Sequence, residues 1–201
     1  MALPPRRRDP PALILAAWSC LLLASGCGIG QQPLDWQSNA AQALQSFQRH
    51  YFAGDTAIAE SEFKAARSEL ARTGRSDLVA RAELVRCAVR AASLEFDDCP
   101  GFEALRDGAS SEELAYAAYL SGKGSHRPSD EPVSRLVAHA VSFRKGSITP
   151  ADITAAVDIA SDQGWRRPLL AWLGVQEKRA SDAGDSETAA RIRRRIELIS
   201  G

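Results

Sequence analysis

The sequence predicts an all-α protein built of antiparallel helical hairpins. Three observations predict it. Apolar residues recur at spacings of three and four along most of the chain after residue 34. Val and Ile fall at those same helical spacings and give no alternating run of the kind a half-buried strand needs. Gly and Pro gather in short breaks suited to closing one helix and opening the next. The breaks divide the chain into about seven or eight helices after an N-terminal leader.

The leader has three parts. Arg6, Arg7 and Arg8 form a basic cluster that stays on the cytoplasmic side during export. Ala12 to Gly26 then runs ALILAAWSCLLLASG, without a charge. As a helix rising about 1.5 Å per residue it reaches roughly 22 Å, short of the ~30 Å hydrocarbon core of a bilayer. It therefore reads as a signal-peptide core and not as a transmembrane helix. The third part is Ala24-Ser25-Gly26-Cys27, small residues leading to a cysteine. This short segment resembles the lipobox of bacterial lipoproteins, where the cysteine receives a diacylglycerol before cleavage. Ala24 stands where Leu is more usual, with Leu23 beside it.

The resemblance implies a signal peptide over 1–26, lipidation at Cys27 and attachment to a membrane through that lipid. The alternative is an ordinary secretory signal cut near Ala24 or Gly26, with Cys27 left as a thiol. A twin-arginine signal fits less well, because the arginines lead into Asp9-Pro10-Pro11 and not into an apolar residue. Gly28, not Asp, follows Cys27. By resemblance to enteric sorting rules this implies the outer membrane, facing the periplasm.

Charge and cysteine content narrow the function. The chain has 25 basic and 25 acidic side chains; losing three arginines and one aspartate with the leader leaves a net charge of −2. Such a balance offers no global field for nucleic acid. Of four cysteines, Cys20 leaves with the leader and Cys27 is the lipid site. Cys87 and Cys99 remain, an even pair in a compartment that permits disulfides. Cys87 falls on a helical stripe and Cys99 in the break Asp97-Asp98-Cys99-Pro100-Gly101, where the chain can fold back. A bridge and two buried free thiols both fit.

After residues 27–34, the lipid site and a short Gly/Pro/Gln tether, the first helix runs from about Asp35 to Ala53. Trp36, Ala40, Ala43, Phe47 and Tyr51 form its apolar face. Gly54 closes it, and Asp55 or Thr56 can cap the next helix, which carries Ala59, Phe63, Ala66 and Leu70. Gly74 ends that helix and Ser76 can cap the third. The third has two stripes, one through Leu78, Ala82, Val85, Val89 and Ala92, the other through Ala80, Leu84, Cys87, Ala91 and Leu94. A helix apolar on two sides packs between neighbours. Past a turn near 102–106, Ser110-Ser111-Glu112-Glu113 reads as a capping box for a helix carrying Leu114, Ala117, Ala118 and Leu120.

Residues 123–130 lie in the clearest internal linker, SGKGSHRPSD, which separates an N-terminal helical region (35–122) from a C-terminal one (131–201). The second region divides into helices near 131–144, 150–163, 165–183 and 185–200. Thr149-Pro150 is a cap followed by proline at the first helical position. Ala189, Ile192, Ile196 and Ile199 form the last stripe.

Ala53-Gly54-Asp55 and Ala183-Gly184-Asp185 both join two helices, each with an alanine four residues after the Asp. Leu170, Leu173 and Gly174 fit one first helix of a hairpin, and Ala59, Phe63 and Ala66 one second helix. Hairpins of this kind loosely resemble tetratricopeptide repeats. No strict period runs through the chain, so the resemblance implies an irregular helical array.

Motifs for chemistry are scarce. His50, His126 and His139 are far apart and show no metal-ligand spacing. No GxSxG, phosphate-cradling glycine loop or serine-lysine motif is found. Glu60-Ser61 is similar to the Glu-Ser pair of lytic transglycosylases, but it continues into Glu62-Phe63 inside an amphipathic stripe and lacks the downstream motifs. The expectation is a non-enzymatic protein without cofactor, metal or nucleic-acid partner. It would act as an interaction or assembly factor for another envelope protein. A peptidoglycan hydrolase or hydrolase activator, and a periplasmic small-ligand carrier, are the alternatives.

Two clusters stand out as contact surfaces. Trp165, Arg166 and Arg167 open a helix, with Trp172 as a possible neighbour. Cations at a helix N-terminus face the positive end of its dipole, so the local helix does not explain them. Trp and Arg are also frequent interface hot spots. This cluster is the candidate partner-binding site; alternatively Trp165 plugs a helix corner and the arginines pair with acids such as Asp158 or Asp162. Arg191, Arg193, Arg194 and Arg195 form the other cluster, either a solvated basic face or a contact for acidic lipid or an acidic partner.

The lipid anchor has a direct test. A Cys27→Ala chain is expected to move from the membrane fraction to the soluble fraction, or to persist as uncleaved precursor. Normal processing with undiminished membrane retention would exclude lipidation at this residue.

Overall fold

The computed structural model describes residues 34–201; the leader 1–26, Cys27 and the tether up to Pro33 lie outside the described residues. Among the described residues there are nine α-helices and no strand. They are α1 (Asp35–Ala53), α2 (Thr56–Ala71), α3 (Ser76–Ala92), α4 (Pro100–Glu103), α5 (Ser111–Leu120), α6 (Pro132–Arg144), α7 (Pro150–Asp162), α8 (Arg166–Asp182) and α9 (Ser186–Ser200). A 3-10 turn at Arg106–Gly108 follows α4. The all-α expectation holds, and the short α4 is the one helix the apolar periodicity could not register. None of these helices is long and apolar enough to cross a membrane.

Helices α1 and α2 form a hairpin, and α3 lies across it as the central element, touching α1, α2, α5 and α6. Helices α6, α7, α8 and α9 then pack in chain order, and α8 returns to touch α1. The regions on either side of the linker thus belong to one compact unit, Leu34–Gly201. The linker is a loop between α5 and α6, tied down by Arg144, which donates to the Leu120 carbonyl (3.2 Å), and Lys145, which donates to that of Gly124 (3.1 Å).

The stripes read from the sequence face the core. On α2, Ala59, Phe63, Ala66 and Leu70 are all buried. On α3, residues of both stripes are buried, Ala82 and Val89 on one and Ala80, Leu84 and Ala91 on the other, as packing between neighbours requires. Each buried Leu, Val or Phe contributes about 1.5–3 kcal/mol of burial. Buried alanines such as Ala59, Ala66 and Ala80 let the helices approach closely where the aromatic rings do not intervene.

The predicted caps divide. At α5, Glu113 donates its N–H to Ser110 Oγ (3.3 Å) and accepts from the Ser110 N–H (2.8 Å), completing the capping box. Thr149 and Asp152 do the same at α7 (3.2 and 3.0 Å), with Pro150 in the first turn. Ser76 does not cap α3: Arg75 occupies the cap position, without a side-chain cap bond, and pairs with Asp77 (2.6 Å). The two similar Gly-Asp junctions also differ. Gly54 and Gly184 both take positive φ (103° and 73°), which frees the chain to turn there. Asp185 accepts from the Thr188 N–H (3.0 Å), whereas Asp55 makes no cap bond and turns to His50 Nδ1 (3.3 Å).

Residues 93–99, after α3, carry the two non-glycine residues with positive φ among the described residues, Leu94 (60°) and Cys99 (48°). Such conformations cost about 1–2 kcal/mol each unless their surroundings hold them. Here Cys99 is bridged to Cys87, with Cα atoms 5.8 Å apart, and its N–H donates to Asp97 Oδ1 (3.0 Å). Unfolded, unreduced protein is expected to show no free thiol from this pair. A Cys87→Ser, Cys99→Ser variant should lose roughly 3 kcal/mol of stability by the chain-entropy estimate. Two titratable thiols in addition to Cys27 would refute the bridge.

Candidate functional site

The head of α8 gathers the residues singled out above, and it binds them inward. Trp172 is fully buried, and its Nε1–H donates to the Ala92 carbonyl at the end of α3 (3.1 Å). It is therefore unavailable to a partner, a correction to its place in the predicted contact surface. Trp165, half-buried at the N-cap of α8, packs against Phe52 of α1 with ring centroids 4.6 Å apart. The corner-plug alternative describes it.

The arginines pair with neither Asp158 nor Asp162. Arg166 donates from Nε to the Ile199 carbonyl (3.1 Å) and from Nη2 to that of Ser200 (3.3 Å), the last carbonyls of α9. Arg167 donates to Glu95 Oε1 (3.1 Å), to the Gly54 carbonyl (3.3 Å) and to the Thr56 hydroxyl, and its guanidinium lies 4.1 Å from the centre of the Tyr51 ring. Glu95 also faces Arg90 (3.8 Å), which pairs in turn with Asp97 (3.2 Å). The result is an alternating chain, Arg167–Glu95–Arg90–Asp97, laid over the ends of α1, α3 and α8. Burial and the nearby Glu95 carboxylate push the Tyr51 hydroxyl well above its ordinary pKa, so it stays neutral. Positive charge at the head of α8 is thus answered by the negative ends of other helices and by Glu95. Arg167 is a structural clasp.

Beside the disulfide lies a surface cleft of about 450 Å³. Asp97, Asp98 and Glu103 on its walls are balanced by Arg106, Lys123 and Arg144, and its floor is Ala117 and Ala118. Cys87, Asp97 and Cys99 bring three metal-type ligand atoms within 4.8 Å of one another. The bridge consumes both sulfurs, and Asp97 is engaged by Arg90 and by the Cys99 N–H, so this set is no metal centre while the bridge is intact. Glu60, of the Glu-Ser pair, is held by Arg86 (2.8 Å). Among the described residues, the carboxylates whose pKa is displaced all move downward: Asp77 through its bond from Arg75, Asp152 through Thr149, Asp185 through the Thr188 N–H. Their downward shift suits ionised caps and pairs, not a general acid. His139, half-buried near Asp152 (3.7 Å), is held below its ordinary pKa by burial.

A second groove, about 420 Å³, runs between α7, α8 and α9. Its floor includes Ile153 and Ile192, and Arg179, Arg191 and Arg195 line it. Two of these arginines belong to the basic run of the last helix; the third, from α8, could not be grouped with them without the packing of α8 on α9. Arg193, from the same run, turns aside to Glu177. Arg194 is exposed.

No protein-family model matches the chain, and no curated protein or solved structure matches it either.

If Arg167 is a clasp, Arg167→Ala should lower stability by about 2 kcal/mol, because Glu95 and the Gly54 carbonyl lose a charged donor. Lysine there would recover part of the loss, since it cannot serve several acceptors with a planar fork. Urea unfolding of the variants measures this; an unchanged midpoint for Arg167→Ala would reject the clasp.

Proposed function

We propose that the chain is an envelope lipoprotein, anchored through Cys27 at the outer membrane and facing the periplasm, whose helical domain is a non-enzymatic interaction or assembly factor. The supporting observation is the state of the terminal helix. Helix α9 rests chiefly on α8. Ala189 is its one fully buried residue, Ile192, Ile196 and Ile199 are half-covered, and Leu198 is 83% exposed. An amphipathic helix covered on one side, with leucine and arginines on its other faces, leaves area suited to a protein partner. The role as an assembly factor rests on analogy with exported helical-repeat lipoproteins.

Photo-crosslinkers placed in the full chain at Leu198 and at Arg194, in native envelope membranes, test the reading. A discrete adduct from α9 positions, and none from Lys64 on the exposed face of α2, is the expected result. Uniform absence of adducts from α9, or solubilisation of purified peptidoglycan by the chain alone, would overturn it.

A further inference from the structure

The groove between α7, α8 and α9 has an unusual charge account. Arg179 comes from α8, and Arg191 and Arg195 from successive turns of α9. Among the described residues no ion pair involves any of the three, although most other arginines of the domain have a carboxylate partner. Like charges four residues apart on a helix repel, so Arg191 and Arg195 weaken α9 where they stand. Three nearby acids are bound elsewhere, while Glu187, one turn ahead of Arg191 on α9, and Asp158 on α7 are exposed and form no ion pair with the three arginines. Glu177 takes Arg193, Asp182 takes Lys178, and Asp185 accepts the cap bond from Thr188, reaching Arg191 through its field alone. Arg195 and Arg191 have only neutral hydroxyl acceptors, Ser161 (3.0 Å) and Thr188 (3.3 Å). Beneath them the floor is apolar, with Ile153 buried and Ile192 half-covered.

We propose that this groove docks an acidic, apolar-anchored segment of a partner protein, through Arg179, Arg191 and Arg195 over the half-covered Ile192. Two features select this occupant. Three guanidiniums on two helices call for several carboxylates spaced along a chain, and each can take a carboxylate bidentately. The half-covered Ile192 offers an apolar side chain between those carboxylates a surface to pack on, which a bare anion would leave unused. This inference rests on the interaction reading and gives it a site and a partner chemistry.

The test uses the full chain in neutral detergent and a fluorescein-labelled peptide of about twelve residues repeating Glu-Leu-Glu-Glu, read by anisotropy. The unmodified protein should bind it, more weakly as salt rises. Removing the groove charge with Arg179→Gln, Arg191→Gln and Arg195→Gln should weaken binding by about tenfold or more. An equal charge change outside the groove, Arg49→Gln, Lys64→Gln and Arg127→Gln, should leave it nearly unchanged. Equal losses in the two variants would reduce the effect to net charge and overturn the site. Undetectable binding by the unmodified protein would overturn it too. So would displacement of the peptide by glycerophosphoglycerol, an acidic lipid headgroup, at lower concentration than by unlabelled peptide, since the groove would then be a phosphate site. Adducts at Leu198 alongside any of these failures would discard the groove while leaving the interaction reading intact.

Discussion

Helix α8 is held in place by carbonyl groups that other helices cannot satisfy themselves. An α-helix leaves its last carbonyls without an internal donor. Three such ends meet α8. Trp172 donates to Ala92 at the end of α3, Arg167 to Gly54 just past α1, and Arg166 to Ile199 and Ser200 at the end of α9. The bonds to Ala92, Ile199 and Ser200 satisfy groups that would otherwise be left to water or unpaired, the Gly54 carbonyl accepts from Arg167 as well as from the Thr56 N–H (3.0 Å), and the charged donors also meet the negative end of a helix dipole. One helix thereby ties the α1–α2 hairpin, the central α3 and the terminal α9 together. The acidic loop after α3 completes the arrangement, because Glu95 receives Arg167 from one side and faces Arg90 on the other.

That dependence explains what could be read from the sequence and what could not. Burial stripes are local: Ala59, Phe63, Ala66 and Leu70 declare their face through spacing alone, and the same residues are buried. The capping boxes at Ser110 and Thr149 are equally local, with donor and acceptor three residues apart. The clasp is not. Arg167 and Glu95 are 72 residues apart, and Arg167 and Gly54 are 113. The sequence signal at Trp165-Arg166-Arg167 was a local anomaly, cations at the wrong end of a helix, and it was sound as an anomaly. Its resolution lay inside the molecule. The surface reading failed at Trp172 because periodicity places an indole on a face without saying what covers that face.

The similar junctions at Gly54 and Gly184 make the same point with fewer variables. Both glycines turn the chain with positive φ, and both are followed by aspartate. At Gly184 the aspartate caps α9, and the turn is exposed. At Gly54 the carbonyl and the Thr56 hydroxyl are taken by Arg167, while Asp55 turns back to His50. A motif of three residues fixes the turn; the tertiary neighbour decides how the following helix is capped.

The allotment of carboxylates also shapes the surface. Glu95 and Asp97 serve the clasp, Glu83 and Glu113 pair with Arg67 and Arg81 against the body of α3, the Asp152 carboxylate completes the capping box of Thr149, and Asp185 caps α9. These uses cluster around α3 and at helix starts, where a fixed negative charge stabilises the fold. On α7, α8 and α9, acids such as Asp158 and Glu187 and several cations alike stand without an ion-pair partner among the described residues. Arg179, Arg191 and Arg195 are such cations, brought together because α9 closes the array against α8. A basic run on an isolated helix would be solvated on every side. Folded against α7 and α8, two of its arginines instead overlook an apolar floor, and that packing gives the run a direction that its sequence spacing lacks.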